Sequence, residues 1–194
     1  MEEKNMKTIY ILLTRSGTIL SRIVHLVTAD TYTHVSIAFS EDLQPLYSSS
    51  RKNGETLFPA GPCLEQFHKG YYKKHPFIPC ALFELQVSDE AYEKAKEEAQ
   101  RFILNADSYD FNILGLLFCH FRIPLRRRSH FFCSQLVGEI LQRSGAVQLP
   151  SEPALMRPVD YMSIPGAVCL FKGRLFELVH QWVRRPGLKE KTIA

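Results

Sequence analysis

The sequence predicts a mixed fold in which β-strands form a sheet and amphipathic helices pack against it. Several short segments alternate apolar and polar residues, with the period of two that is typical of a half-buried strand. Other segments place apolar residues three, four and seven positions apart, as one face of a helix does. The chain has 194 residues, 45% of them apolar and 23% charged, which is ordinary for a globular protein with a sizeable core. We therefore expect one domain over residues 1–194, with its core at about 8–173 and a C-terminal helix at about 174–184.

Five segments have the composition or the alternation of strands. In the second of them, the apolar residues from Val35 to Phe39 point one way and His34 the other, so His34 begins a strand on its more polar face. The third follows a predicted turn at Ser40–Leu43 and would return as the partner strand of a hairpin. The predicted strands are Thr8–Thr14, Thr33–Phe39, Leu46–Ser50, Ala81–Val87 and Ala167–Gly173.

Helical spacing or capping signals predict five helices. Ser88 is a typical N-cap, with two acidic residues in the turn that follows it. The fourth helix opens at Cys133, and Gly145 just beyond it is the expected stop. Arg51–Pro79 is rich in Gly, Pro, Lys and aromatic residues and is predicted to be one long loop region. The predicted helices are Ile19–Val27, Asp89–Leu104, Asn112–Phe118, Cys133–Leu141 and Leu175–Trp182.

Cys133 is the first candidate for a functional residue. Leu136, Val137 and Ile140 follow it on one apolar face, so it lies in the first turn of an amphipathic helix. Unpaired backbone N–H groups and the helix dipole favour a thiolate there, and the same N–H groups would stabilise an oxyanion beside the sulfur. The alternative is that Cys133 is a small buried hydrophobe, since it lies on the same face as the apolar residues.

A cysteine nucleophile needs a base for its proton and a polar group that holds the base. His34, at the start of a strand, is the candidate base, and its alternative is an ordinary hydrogen-bonded histidine at a strand end. One serine face of the next strand, within Tyr47–Ser50, would lie beside His34, although a solvated strand face has the same pattern. A helix packed against a sheet would bring these residues together despite their separation in sequence.

The remaining cysteines and the charge indicate no specific partner. A Cys₂His₂ zinc set is a weak alternative, because its spacing matches no common finger, so we expect no metal and no other cofactor. The five cysteines show no CxxC pair and the chain shows no secretory leader, which predicts reduced thiols in the cytoplasm. The net charge of +4 permits an anionic partner without requiring one, and nucleic acid is not expected. The zinc alternative would use Cys63, His68, His75 and Cys80.

Three motifs follow one another along the chain: Thr33-His34-Val35-Ser36-Ile37-Ala38, Tyr109-Asp110, and Phe132-Cys133-Ser134-Gln135-Leu136-Val137. Together they resemble the circularly permuted papain-like cysteine hydrolases. These form the permuted branch of the NlpC superfamily, which includes the YiiX-like and lecithin:retinol acyltransferase-like proteins. In that branch the histidine strand comes before the cysteine helix, the reverse of the ordinary papain order.

The resemblance implies an α+β papain-like fold, with a small antiparallel sheet packed against helices. It also implies acyl transfer, in which Cys133 attacks a carbonyl, His34 moves the proton, and a polar residue on the next strand orients the histidine. Ser48 is the best match for that third residue, although relatives often have a carboxylate or an amide there. Ser50 shares a strand face with Ser48 and is the second candidate. The supporting residues are Tyr109, Asp110, Ser50, Ser134 and Gln135.

The sequence is compatible with three different functions. The first is a thiol-dependent hydrolase, an amidase or peptidase, whose partner is a small amide, peptide or acyl substrate. The second is a lipid-directed acyltransferase or thioesterase, because the apolar Ile113–Phe121 lies just before Arg126–Arg128 and would rest on an anionic membrane surface. The third is a non-catalytic ligand-binding member of the fold, suggested by a serine where relatives have a carboxylate.

Overall fold

The computed structural model describes residues 5–15, 30–51 and 60–183. The strands in these ranges are β1 (Met6–Thr14), β2 (His34–Ala38), β3 (Leu46–Arg51), β4 (Ala60–Glu65), β5 (Pro79–Ser88) and β6 (Ala167–Arg174). They form one six-stranded sheet in the order β4-β3-β2-β1-β5-β6, in which every neighbouring pair is antiparallel. The α+β architecture predicted from the sequence, an antiparallel sheet with helices, is confirmed.

The described helices are α1 (Gly70–Lys74), α2 (Asp89–Leu104), α3 (Ile113–His120), α4 (Cys133–Arg143) and α5 (Leu175–Leu178), the last continuing into a π-helical turn at Val179–Val183. Ser88 caps α2 as predicted, since its side chain accepts a hydrogen bond from the backbone N–H of Ala91. Gly145 follows α4 at a φ of +69°, the left-handed conformation in which glycine commonly ends a helix. None of the helices in these ranges is long and apolar enough to cross a membrane.

The central strand β1 is buried on both faces of the sheet. Ile9, Ile11 and Leu13 belong to one apolar cluster, to which α2 and α4 also contribute. Tyr10 and Leu12 belong to a second cluster on the other face, to which α1 and α5 contribute. Burial on both faces explains why this strand is a continuous apolar run in the sequence, without polar alternation.

The prediction of one long loop at Arg51–Pro79 is wrong, because this region contains both β4 and α1. Gly61 and Pro62 interrupt any apolar alternation in β4, so its sequence lacks the usual signal of a strand. Proline and glycine are tolerated there because β4 lies at the edge of the sheet. The predicted helix at Ile19–Val27 lies outside the described residues, as do residues 52–59 of the predicted loop.

We expect Gly61→Ala to lower the free energy of unfolding by about 1–3 kcal/mol, the usual cost of overpacking. A Cβ atom at Gly61 would lie 2.8 Å from the backbone oxygen of Tyr109, so β4 and the segment at Tyr109 approach too closely for any side chain. Chemical denaturation followed by circular dichroism measures this loss.

Gly173→Ala in β6 is the matched control. There the added Cβ would lie 2.7 Å from a carboxylate oxygen of Glu177 and 2.8 Å from the end of the Phe171 ring, and both groups can rotate away. Gly61→Ala should therefore lower the free energy of unfolding clearly more than Gly173→Ala does. Equal losses would contradict a rigid backbone contact at Tyr109.

Candidate active site

Cys133 opens α4, as predicted, and only 6% of the residue is exposed. The N-cap residue is Phe132, whose side chain supplies no hydrogen bond to this helix end. The helical hydrogen bonds begin one turn later, from the N–H of Leu136 to the carbonyl of Phe132 at 2.9 Å. Cys133 therefore lies where helix geometry leaves N–H groups without intrahelical partners and where the helix dipole is positive.

His34 begins β2, and its imidazole lies near the Cys133 thiol, close enough for the thiol to help raise the pKa of His34. The contact arises because α4 packs against β2 and β3. The structure thus brings together His34 and Cys133, the two residues that the sequence analysis predicted to be a reacting pair.

A carboxylate that the sequence analysis missed holds the other side of the imidazole. The Nε2 atom of His34 lies 3.0 Å from Oε2 and 3.1 Å from Oε1 of Glu65, the last residue of β4. Since Nε2 faces the carboxylate, Nδ1 is the ring nitrogen left for the thiol. The arrangement is a chain of three groups in the order thiol, imidazole and carboxylate.

The charges of His34 and Glu65 depend on each other. Burial disfavours an imidazolium, but the Glu65 charge and hydrogen bonds with Cys133 and Glu65 outweigh it and hold the pKa of His34 well above its ordinary value. Burial likewise favours a neutral carboxylic acid, but the His34 charge and hydrogen bonds with His34, Ser36 and Ser50 hold the pKa of Glu65 below its ordinary value. The pair is therefore ionised near neutral pH.

Three hydroxyl groups anchor the Glu65 carboxylate. Ser36 donates to Oε2 at 2.7 Å, Ser50 donates to Oε1 at 2.9 Å, and the Tyr72 hydroxyl donates to Oε2 at 3.3 Å. Burial and the Glu65 charge raise the pKa of Tyr72 well above its ordinary value, so this hydroxyl keeps its proton. With the imidazole as a further partner, the buried carboxylate is well satisfied.

Ser48, the residue expected to orient His34, lies beside the imidazole but is a more distant partner than Glu65. The Ser48 hydroxyl donates to the carbonyl of Val35 at 2.7 Å, and its oxygen lies 3.4 Å from Nε2 of His34, farther than either oxygen of Glu65. A charged carboxylate at the shorter distance makes the stronger interaction with an imidazolium. Ser50 acts on the network through Glu65, whereas Ser49 turns away and donates to the carbonyl of Phe131.

Tyr109 and Asp110 support the segment that leads into α4. The Tyr109 ring packs against Phe131, with 5.6 Å between ring centroids. The backbone of Asp110 donates to the carbonyl of Ser129 at 2.8 Å and accepts from the N–H of Phe131 at 3.0 Å, while its carboxylate is exposed near His130. These contacts fix the chain just before Cys133 through packing and main-chain hydrogen bonds.

Ser134 and Gln135, the next two residues of α4, are both buried. The carbonyl of Ser134 accepts a hydrogen bond from the Tyr161 hydroxyl at 2.6 Å, and its own hydroxyl has no hydrogen-bond partner among the described residues. The side-chain oxygen of Gln135 accepts from Asn112, the N-cap of α3, at 3.2 Å. These contacts position the first turn of α4.

Glu65 and Tyr72 are the site residues that sequence reasoning missed. Both lie in the region that was predicted to be a loop, so neither was placed near the sheet. The sequence held a weak signal, because Glu55 and Glu65 are the only acidic residues between Ser50 and Pro79 and so the only candidates for a carboxylate there.

No group of three or more metal-ligating side chains lies together in residues 5–15, 30–51 and 60–183. This range includes all four residues of the weak zinc alternative, which therefore do not form a cluster. Burial raises the pKa of one of them, Cys80, to about 12, and its thiol belongs to the apolar core of the second cluster.

The fold resembles that of a solved bacterial protein. The crystal structure of the metalloprotein YiiX from Escherichia coli O157:H7 matches with a TM-score of 0.54 and 14% sequence identity, over 86% of this chain and 97% of that chain. No protein-family description matches the sequence, and no curated protein is detectably similar to it. At this identity the likeness is one of fold.

We expect Glu65→Gln to lower the pKa of His34, because burial then acts on the imidazole without the compensating charge. Since the folded-state pKa is raised, the stability contributed by His34 is fully present below about pH 6.5 and is lost as the pH rises through the raised value. The wild-type protein should therefore show this alkaline loss and the variant should not. An NMR titration of the histidine ring protons measures the pKa directly.

Ser50→Ala is the control for this titration. It removes a neutral donor to the same carboxylate but leaves the negative charge beside His34, so the His34 pKa should fall much less. An unchanged pKa in Glu65→Gln would show that the carboxylate does not govern the imidazole.

Proposed function

We propose that the protein is a thiol-dependent hydrolase, an amidase or peptidase, that cleaves a small amide or peptide through a covalent acyl-enzyme. The observation that carries this proposal is the chain of side chains from Cys133 through His34 to Glu65. A nucleophilic cysteine is activated by an adjacent imidazole that a third group orients. A core cysteine needs no such neighbours: the buried Cys119 has its sulfur 3.9 Å from the carbonyl of Met156.

The proposed family is the permuted papain-like branch of the NlpC superfamily. Two observations support it: the histidine strand precedes the cysteine helix in the chain, and the fold resembles that of YiiX. The carboxylate of Glu65 also supplies the kind of third group that the resemblance implies and that Ser48 lacked.

In the first half of the reaction, the proton shared by Cys133 and His34 lies on the imidazolium, and the Cys133 sulfur attacks the carbonyl carbon of the substrate. The carbonyl oxygen becomes an oxyanion beside the N–H groups at the start of α4, which stabilise it. When the tetrahedral intermediate collapses, the carbon–nitrogen bond breaks and His34 gives its proton to the leaving amine. The product is a thioester between the acyl group and Cys133.

In the second half, His34 acts as the base for a water molecule. Water adds to the thioester carbonyl, its proton passes to His34, and a second oxyanion forms at the helix start. The carbon–sulfur bond then breaks, the acid leaves, and the proton stays on His34 beside the freed sulfur. Glu65 holds the imidazole orientation throughout and stabilises the imidazolium that starts and ends the cycle.

The geometry of the site bears differently on the two alternative functions, the non-catalytic one and the lipid-directed one. The non-catalytic alternative was argued from a missing carboxylate, and Glu65 removes that argument. The lipid-directed alternative shares the first half-reaction and differs in the acyl donor and acceptor. We propose hydrolysis rather than transfer, since hydrolysis needs only water as the acceptor, and we keep a small amide as the proposed acyl donor.

We expect iodoacetamide to modify Cys133 faster than Cys63, Cys80, Cys119 or Cys169 near neutral pH. Reactivity follows thiolate fraction and access. Burial raises the pKa of Cys119 to about 11 and of Cys80 to about 12, so both hold little thiolate. Cys119 is the closest comparison because it is 2% exposed and Cys133 is 6% exposed. Peptide mass spectrometry over time gives the rate for each cysteine.

His34→Ala is the matched variant for this labelling. It removes the imidazole from Cys133 and leaves the surroundings of Cys119 unaltered, so only the rate at Cys133 should fall. Equal rates at Cys133 and Cys119, unaffected by His34→Ala, would favour the core-cysteine alternative.

We expect Cys133→Ala and His34→Ala each to lower the hydrolysis of a p-nitrophenyl ester by about 100-fold or more, the range for a lost nucleophile or general base. Glu65→Gln should lower the rate of hydrolysis by about 10-fold or more, because the imidazole loses the charge-assisted hydrogen bond that orients it. Ester hydrolysis is followed by absorbance, and a trapped acyl group on Cys133 is identified by mass spectrometry.

Three serine variants rank the polar residues around the pair. Ser48→Ala should cost less than Glu65→Gln because Ser48 is the more distant partner of the ring, and Ser50→Ala should be mild because other donors remain on the carboxylate. Ser49→Ala serves as the control, since its hydroxyl faces Phe131. If Ser48→Ala proved more damaging than Glu65→Gln, the assignment of Glu65 would be wrong.

A further inference from the structure

Helix α3 presents an apolar stripe to solvent. Its members, Leu114, Leu117, Phe118 and Phe121, are 39–68% exposed and follow one another at offsets of three, four and seven residues. That spacing places them on one helix face. A helix in a globular protein normally turns such a face to the core, so an apolar face in water indicates a surface that binds something.

The stripe cannot turn inward without breaking contacts that hold α3. The opposite face is buried through Gly115 and Cys119. Asn112 accepts a hydrogen bond from the N–H of Gly115 at 2.9 Å and donates to the carbonyl of Leu125 and to Gln135. The exposed stripe, which we call the α3 stripe, is therefore a fixed feature of the surface.

Basic side chains flank the α3 stripe at both ends. Arg122 is exposed directly after the helix, in a left-handed conformation that reverses the chain. The returning chain brings Leu125 beside Asn112, so Arg126–Arg128 lie at the start of the helix. Within the described part of the chain Arg126 pairs with Glu152, whereas Arg127 and its neighbour Arg128 are exposed and have no acidic partner there.

The charge of this region is one-sided. Between Asp110 and Glu139 the sequence contains four arginines and no acidic residue. An apolar stripe with basic residues at its ends matches an anionic bilayer, in which leucine and phenylalanine enter the acyl boundary and arginine meets lipid phosphate. A second copy of the chain fits less well, because a two-fold contact through the same surface would bring like charges together.

We propose that the α3 stripe and its flanking arginines dock the protein on the surface of an anionic lipid bilayer. The docking does not depend on the hydrolase chemistry, and it goes beyond it. It also has a direct link to the site, because the Asn112 side chain joins the start of α3 to Gln135, two residues after Cys133. Docking would therefore fix the orientation of the cysteine helix relative to the lipid surface.

Co-sedimentation of the full chain with lipid vesicles tests this proposal. The probes are vesicles of phosphatidylcholine alone and of phosphatidylcholine with about one third phosphatidylglycerol, each at low and high salt. The wild-type protein should sediment with the anionic vesicles, and high salt should weaken this binding. Two double variants should each weaken vesicle binding by about 10-fold or more: Leu114→Ser with Leu117→Ser, and Arg127→Gln with Arg128→Gln. The first removes apolar side chains that would insert into the bilayer, and the second removes positive charges that would be attracted to lipid phosphate.

Matched control variants distinguish binding through the α3 stripe from nonspecific binding to vesicles. Leu104→Ser changes another exposed leucine, and Lys69→Gln with Lys73→Gln removes two exposed charges elsewhere; both should bind like the wild type. Circular dichroism checks that every variant is folded. Absence of wild-type binding to anionic vesicles, or equal binding by the stripe variants, would overturn the proposal. Light scattering that showed self-association lost in the leucine variants, without vesicle binding, would overturn it in favour of a second copy.

Discussion

A carboxylate buried in a protein is costly unless charge and hydrogen bonds compensate it, and Glu65 receives both from neighbouring elements. The imidazolium of His34 supplies the charge, and hydroxyls from β2, β3 and α1 supply the hydrogen bonds. Each donor reaches the carboxylate only if these elements stand in one arrangement. The ion pair and the local fold therefore depend on each other.

The same compensation sets the chemistry that we propose. An imidazole buried beside an apolar helix would by itself be neutral, because burial disfavours its charge. Glu65 reverses that preference and makes the imidazolium the stable form. A positive ring next to a sulfur at a helix start is the environment in which a thiolate is stabilised. The acidic residue at the sheet edge thus acts on Cys133 through His34.

The sequence predicted the parts of this site that local patterns determine. Cys133 and His34 each begin an element with clear periodicity, so their positions followed from the helix and strand signals. The position of Glu65 could not be predicted in this way, because it depends on the pairing of β4 with β3. The sequence of β4 is short and contains glycine and proline, so it gives no strand signal from which that pairing could be inferred. Ser48 was chosen for the role of Glu65 because it lay on the nearest predicted strand.

The position of β4 at the edge of the sheet has a consequence for how the protein would lose activity. An edge strand is held by one ladder of hydrogen bonds, and such strands open locally at a lower free energy than the central strands of a core. If β4 frays, Glu65 leaves the imidazole while β1, β2 and β5 stay paired. Heat or mild denaturant would then disrupt the Cys133–His34–Glu65 site while the core is still folded, so the lifetime of the proposed activity would be set by the outermost strand.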